Sequence, residues 1–211
     1  MIIFDFDGTI ADSLEALVTA SNRLAREFNY AEISYDQVRE LQTLSSRQII
    51  QKSKISIYKV PFLIKRLRAE MGQEIKTIKP ICGVDQALME LKSLGYPLGI
   101  VTSNSTENVA EFLKYHRLDG VFDFTHSATT LFGKHRILRR IIRERQLNRE
   151  ATLYVGDETR DIESAKRIPI SVIAVSWGYN SKDILQQHHP DALVNHPSAL
   201  AAAVQQLTPR T

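Results

Sequence analysis

The chain has 211 residues, 43% of them hydrophobic and 24% charged, with a net charge of +3, which excludes a disordered or fibrous protein. That length suits one large domain or a core carrying a modest insertion. No apolar run approaches the roughly 18 residues that cross a bilayer. Asp5 and Asp7 interrupt the stretch a signal peptide needs, so the expectation is a cytoplasmic protein without a membrane partner. The single cysteine, Cys82, can form no internal disulfide, and no Cys/His cluster at metal-ligand spacing accompanies it.

Residues 1–4 form a short apolar run ending in acid and read as the first strand. From there to about residue 80 only helical signals follow. Asp12 with Glu15 resembles a capping box opening a helix whose stripe is Leu14, Leu17, Val18, Leu24, Ala25 and Phe28. Ser34 with Gln37 and Ser45 with Gln48 repeat that start signal for two shorter helices. A fourth stripe runs from Ile57 to Met71, with Pro61 expected in its first turn. Beyond residue 84 strands and helices alternate, with strands expected at 98–101, 121–124, 152–155, 171–175 and 192–194. The intervening stripes include Leu88, Leu91 and Leu94, then Val109, Phe112 and Leu113, then Ile162, Ala165 and Ile168. A helix over 198–207 and a frayed Thr-Pro-Arg-Thr end close the chain.

This order predicts an α/β fold, a doubly wound and mainly parallel sheet, formed by residues 1–13 and 81–211 as a core. Residues 14–80 are expected as a helical cap inserted after the first strand. Arg136, Arg139, Arg140, Arg143, Arg145 and Arg149 crowd one stretch, but Ile137, Leu138, Ile141 and Ile142 share it, which gives an amphipathic helix with a solvated basic side. Without aromatic interleaving or a nucleic-acid motif, no nucleic-acid partner is expected.

In open parallel sheets ligands bind outside the carboxyl ends of the strands. Here polar residues end three predicted strands: Asp5 and Asp7; Thr102, Ser103 and Asn104; Gly156, Asp157, Glu158 and Asp161. Residues at i and i+2 point the same way, so Asp5 and Asp7 can face one substrate, and Gly8 permits a sharp turn away. Asp157 on the same edge makes the cluster too negative for a phosphate unless a divalent cation intervenes. Magnesium, which takes hard oxygen ligands, is the natural choice. Lys134 adds positive charge, and the Thr102 hydroxyl with nearby backbone N–H groups offers donors to phosphoryl oxygens.

The string Phe4-Asp5-Phe6-Asp7-Gly8-Thr9-Ile10-Ala11-Asp12-Ser13 resembles the first motif of the haloacid dehalogenase superfamily. Ile100-Val101-Thr102-Ser103-Asn104 is similar to the second motif, Gly133-Lys134 to the third, and Val155-Gly156-Asp157-Glu158-Thr159-Arg160-Asp161 to the fourth. The helical insertion looks like the small cap of the phosphoglycolate phosphatase-like branch. The resemblance implies a magnesium-dependent phosphatase acting on a small phosphorylated metabolite, with phosphoglycolate among the candidates. It makes Asp5 the nucleophile that forms an aspartyl-phosphate, and Asp7 the general acid and then the base. Thr102 and Lys134 would hold the phosphoryl group, with Ser103 and Asn104 beside the substrate. Magnesium would lie on the carboxylates of Asp5 and Asp157 and the main-chain carbonyl of Asp7, with Asp161 orienting Lys134 or a metal-bound water. Lys134 is followed by His135 where the branch often has proline. The cap loop reads Leu41-Gln42-Thr43-Leu44-Ser45-Ser46-Arg47 where a glycine and a basic residue are frequent, which makes Arg47 the candidate substrate contact.

Other functions meet specific obstacles. A Walker-type nucleotide loop would need glycine at 128 and Ser or Thr at 135, which are Ala128 and His135. A receiver domain is shorter and carries its phosphoacceptor mid-sheet. A phosphonate hydrolase would need a Schiff-base lysine in the cap, for which Lys52, Lys54 and Lys59 are the candidates. A phosphomutase on the same scaffold stays open, as does a catalytically silent binding or regulatory protein, against which the retention of Asp5, Asp7, Thr102, Lys134 and Asp157 argues.

Overall fold

The computed structural model describes residues 1–128 and 132–208. At its centre is β1 (Ile2–Phe4), whose three residues are all buried, the continuous apolar run that a strand covered on both faces requires. The other strands of this sheet are β4 (Leu98–Thr102), β5 (Phe124–Ser127), β6 (Leu153–Gly156), β7 (Ser171–Val175) and β8 (Ala192–Val194). They lie in the order β5-β4-β1-β6-β7-β8 with every pairing parallel. The chain builds outward from β1 on one side, then returns to build on the other. The strand order thus reverses around β1, and its carboxyl end opens into the crevice where open sheets bind ligands.

Alternation along the strands supplies two cores. Ile2 and Phe4 pack toward α5 (Val84–Ser93), α6 (Thr106–Tyr115) and α10 (Leu200–Leu207). Ile3 faces the opposite layer of α7 (Lys134–Glu144), α8 (Thr159–Lys166) and α9 (Lys182–Gln187). Helix α7 buries Lys134, Leu138, Ile141 and Ile142 and leaves most of its arginines toward solvent, the amphipathic arrangement its sequence predicts. Among the described residues no helix is long and apolar enough to cross a membrane.

The insertion begins after a neck. The two-residue strands β2 (Ala11–Asp12) and β3 (Lys79–Pro80) pair antiparallel, so the chain leaves and re-enters the α/β layers at one point. Between them stand α1 (Leu14–Phe28), α2 (Tyr35–Gln42), α3 (Ser46–Ser53) and α4 (Val60–Glu74), the last preceded by a 3-10 turn, Ile57–Lys59. Both expected capping boxes, at Ser34/Gln37 and Ser45/Gln48, are formed, and Pro61 sits in the first turn of α4, where its missing N–H leaves no helical bond unmade. Helices α1 and α4 are tied by ion pairs of Arg23 with Glu74 and Arg66 with Glu27, each 2.9 Å. Helices α2 and α3 bury no residue completely; their apolar sides face a cavity.

Three local expectations shift. Ser13, not Asp12, precedes α1 as its cap residue, because Asp12 is taken up in the neck, and no side-chain cap bond forms. The Ser13 hydroxyl instead meets the Tyr179 hydroxyl at 2.7 Å. The fifth strand of the chain begins at Phe124, not at residue 121: Val121 N–H closes a turn onto Leu118, and Asp123 caps the start by accepting from Leu98 N–H at 2.9 Å. The last helix is split into a 3-10 turn, Pro197–Ala199, and α10; the end expected to fray lies, beyond Thr208, outside the described residues.

Candidate active site

Asp5 is the first residue past β1 and is 1% exposed. Its N–H continues the sheet onto Val155 O at 2.8 Å, and one carboxylate oxygen accepts from Phe6 N–H at 2.7 Å. The other accepts from Lys134 Nζ. Lys134 stands at the first turn of α7, 1% exposed, and also donates to Asp161 Oδ1 at 2.6 Å. Asp157 follows β6; its carboxylate accepts from Thr9 Oγ1 and from Tyr179 N–H, both at 2.7 Å. Carboxylate oxygens of Asp5, Asp157 and Asp161 lie within 4.8 Å of one another.

Glycines make this crowding possible. Gly8 turns the chain with φ +74°, and a Cβ there would stand 2.2 Å from Asp157 Oδ2. From the loop after β7, Gly178 leaves the same room, 2.3 Å, on the other approach. Neither carboxylate wall could close so tightly around a side chain.

Lys134 serves two of the three acids, so the cluster keeps uncompensated negative charge. Burial pushes the Asp157 carboxyl far above its ordinary range, and Glu158, Asp5 and Asp161 push it further. Asp5 is also raised by burial, although Lys134 pulls against that shift. Burial opposes the charge on Lys134, but Asp161 and Asp5 outweigh it and its pKa rises. Three hard oxygen donors that close, with their backbone N–H contacts in place, fit a divalent metal.

Asp7, two residues beyond Asp5, turns into the cavity. Asn104 Nδ2 donates to its carboxylate at 3.0 and 3.2 Å. Burial raises the Asp7 pKa, with Ser13 and Asn104 easing it back, which favours a carboxyl able to carry a proton. The Thr102 hydroxyl, fully buried at the end of β4, accepts from Asn104 N–H at 2.9 Å. Ser103 Oγ accepts from the Arg160 guanidinium at 3.3 Å.

The cavity holds about 810 Å3 and runs from Asp7, Ser103, Asn104 and Arg160 into the apolar interior of the helical segment. That is more room than a two-carbon ester fills. Several contacts fix the helical segment against the catalytic edge. Ser46 Oγ donates to Glu158 Oε2 at 2.8 Å, Asn180 Nδ2 to Leu44 O at 3.0 Å, and Ser181 N–H to Gln42 O at 2.8 Å. Cys82 is an exposed free thiol.

The structure therefore gathers Asp5, Lys134, Asp157 and Asp161 into one cluster and sets Asp7, Ser103 and Asn104 at the cavity beside it, with Thr102 beneath. Arg47 is not brought in. Its guanidinium pairs with Glu163 at 3.4 Å and lies 5.3 Å over the Phe132 ring, with 54% of the side chain exposed. Two cations that sequence reasoning passed over are at the site instead. Arg160 is buried, its Nε 2.8 Å from Glu158 Oε1, and that pairing outweighs burial to raise its pKa while lowering that of Glu158. Arg160 lies inside the fourth motif string and was legible there; Arg68, inside α4, carried no local signal.

An open parallel sheet with an aspartate pair at its switch point, a buried lysine and further acids at the same edge defines a hydrolase of the phosphoryl-transfer type. The chain belongs to the haloacid dehalogenase-like hydrolases: the model of that family matches residues 2–175. Within it the chain is a phosphatase. It is 35% identical over 206 residues to a phosphoglycolate phosphatase of Synechococcus elongatus, covering 98% of this chain and 97% of that one. The pyrophosphatase PpaX of Bacillus mycoides is 26% identical, with 94% of each chain covered. A haloacid dehalogenase-like hydrolase from Streptococcus pneumoniae shares the fold at a TM-score of 0.79 and 22% identity, covering 95% of this chain and 96% of that one.

Proposed function

We propose that the chain hydrolyses a small phosphate monoester in a magnesium-dependent reaction through an aspartyl-phosphate on Asp5, with phosphoglycolate the first substrate to test. One observation carries this reading: Asp5 is buried against Lys134 at the end of the central strand, while Asp7, two residues on, faces the cavity. On this reading the nucleophile and the proton donor stand on the two sides of the scissile bond.

Asp5 Oδ attacks phosphorus, and the bond from phosphorus to the ester oxygen breaks as Asp7 gives that oxygen its proton. Asp7, now a carboxylate held by Asn104, takes a proton from water as the water oxygen attacks phosphorus, and the bond to Asp5 breaks. Lys134 neutralises Asp5 before attack and the phosphoryl oxygens after it, and Thr102 holds Asn104 N–H in line. Magnesium would be held by Asp5 and Asp157 with the Asp7 carbonyl, and when bound it supplies the positive charge that lets a phosphate approach three acids. Asp161 keeps Lys134 in place.

Residues 14–80 act in this account as a cap over a core of residues 1–13 and 81–211. The neck at β2 and β3 is the hinge, and the contacts of Gln42, Leu44 and Ser46 hold the cap down. A phosphorylated metabolite as substrate accords with the expected cytoplasmic setting. The test is a panel of phosphate esters with purified protein, with magnesium and with excess chelator. Magnesium-dependent release of phosphate from the glycolate ester is expected; undiminished turnover in chelator would overturn the reading.

A further inference from the structure

Arg68 stands in α4 with its guanidinium turned into the cavity that Asp7, Ser103 and Asn104 also line. Among the described residues it has no ion pair. One terminal nitrogen donates to Ala128 O at 2.7 Å, and Nε is buried without an acceptor. The other arginines of the helical segment that form ion pairs, Arg23, Arg47 and Arg66, reach carboxylates on the surface. Arg68 also sits within a fixed frame. Asn108 Nδ2 donates to Arg68 O and to Asn104 Oδ1, both at 2.9 Å, and Asn104 in turn holds Asp7. Gly72, one turn along α4, lets the helix close on Asn108, since a Cβ there would lie 2.7 Å from Asn108 Oδ1.

A guanidinium partly removed from water and without a carboxylate partner is costly unless an anion completes it. Burial lowers the Arg68 pKa, Arg160 across the cavity lowers it further, and Asp7 only partly opposes this. The attacked phosphorus belongs beside Asp5, and Asp7 protonates the leaving oxygen. A cation on the Asp7 side of the cavity therefore faces the leaving group rather than the phosphoryl group.

We infer that Arg68 is the specificity determinant for a second anionic group, a carboxylate or a phosphate, carried by the leaving portion of the substrate. The inference rests on the reaction proposed above and adds a requirement to it. Planar, forked donors suit such an anion, and an uncharged leaving group leaves them unpaired.

The experiment compares kcat and KM of the unaltered protein, Arg68→Met and Arg68→Lys on three substrates: phosphoglycolate, pyrophosphate and ethyl phosphate. In the unaltered protein kcat/KM is expected to favour one of the two charged-leaving-group substrates over ethyl phosphate. In Arg68→Met that ratio falls by about tenfold or more, chiefly through KM, and Arg68→Lys restores part of it. Because each ratio is taken within one preparation, partial misfolding of a variant cancels. Selective loss on phosphoglycolate identifies a carboxylate and selective loss on pyrophosphate a phosphate; either supports the inference. An equal loss on all three substrates, or no loss, overturns it. Failure of the unaltered protein to hydrolyse any of the three would instead strike the phosphatase reaction itself.

Discussion

Replacing Gly8 by alanine measures how tightly the acid cluster is built, and Gly95 supplies the control. Both glycines have left-handed backbones, φ +74° at Gly8 and +82° at Gly95. Around Gly95 nothing lies within 4 Å of an added Cβ. Gly95→Ala therefore incurs only the backbone penalty, about 1–2 kcal/mol. At Gly8 the new methyl would stand 2.2 Å from Asp157 Oδ2 and 3.0 Å from Tyr179 Cδ1. Asp157 cannot withdraw without breaking its contacts with Thr9 and Tyr179 N–H, both 2.7 Å. Overpacking adds about 1–3 kcal/mol, so Gly8→Ala should lose roughly 2–5 kcal/mol. For a chain of this size each kcal/mol moves Tm by about 2–4 °C. Thermal unfolding with and without magnesium is the assay. Gly95→Ala should keep the stabilisation that magnesium gives, and Gly8→Ala should lose most of it along with the larger share of Tm. A Gly8→Ala protein as stable as Gly95→Ala, with an intact magnesium response, would refute the claim that the glycine shapes a metal cradle.

Asn104→Ala removes the Nδ2 group that donates to both carboxylate oxygens of Asp7 and should lower kcat by about 10- to 100-fold while moving KM less, since orientation of the acid is what is lost; steady-state kinetics showing kcat within about twofold would contradict that role. Arg47→Ala should leave KM within about twofold for every ester, because its pairing with Glu163 is an exposed one; a tenfold rise would return Arg47 to the substrate. The pH dependence of stability has a defined sign. Asp5 and Asp157 have raised folded-state pKa values, so the metal-free folded protein holds protons that the unfolded chain has released. Their contribution is full below the ordinary carboxylate range and is lost as pH rises through their folded values. Tm of the metal-free protein should fall as pH rises through that interval, magnesium should restore it most at the alkaline end, and Asp157→Asn should flatten the trend. A metal-free Tm that climbs over the same interval, with no flattening in the variant, would contradict it.

The core was legible because its signals are local and repetitive. Apolar runs each end in polar residues, and Asp5, Thr102 and Asp157 mark the carboxyl ends of β1, β4 and β6 along the chain itself. The two capping boxes were legible for the same reason, a fixed three-residue spacing. What escaped depends on tertiary closure. The neck pairs Ala11 with Pro80 and Asp12 with Lys79, two residues a side, too short for any periodicity. Strand β5 reads polar because Thr125, His126 and Ser127 lie at a sheet edge, so the apolar residues just before it drew the boundary early. Arg47, on α3, pairs with Glu163 while Arg68, on α4, lines the cavity, a difference that becomes visible once the two helices are set against the core.

Asp5 is proposed to carry the phosphoryl group during turnover. Quenching the reaction in acid with phosphoglycolate and magnesium, then mapping the phosphorylated peptide by mass spectrometry, tests it most directly. A phosphoryl group on Asp5 is expected that appears with substrate and is absent from the Asp5→Asn protein. Sustained turnover with no phosphoryl group on Asp5 at any quench time, or an Asp5→Asn variant that still hydrolyses the ester, would contradict it.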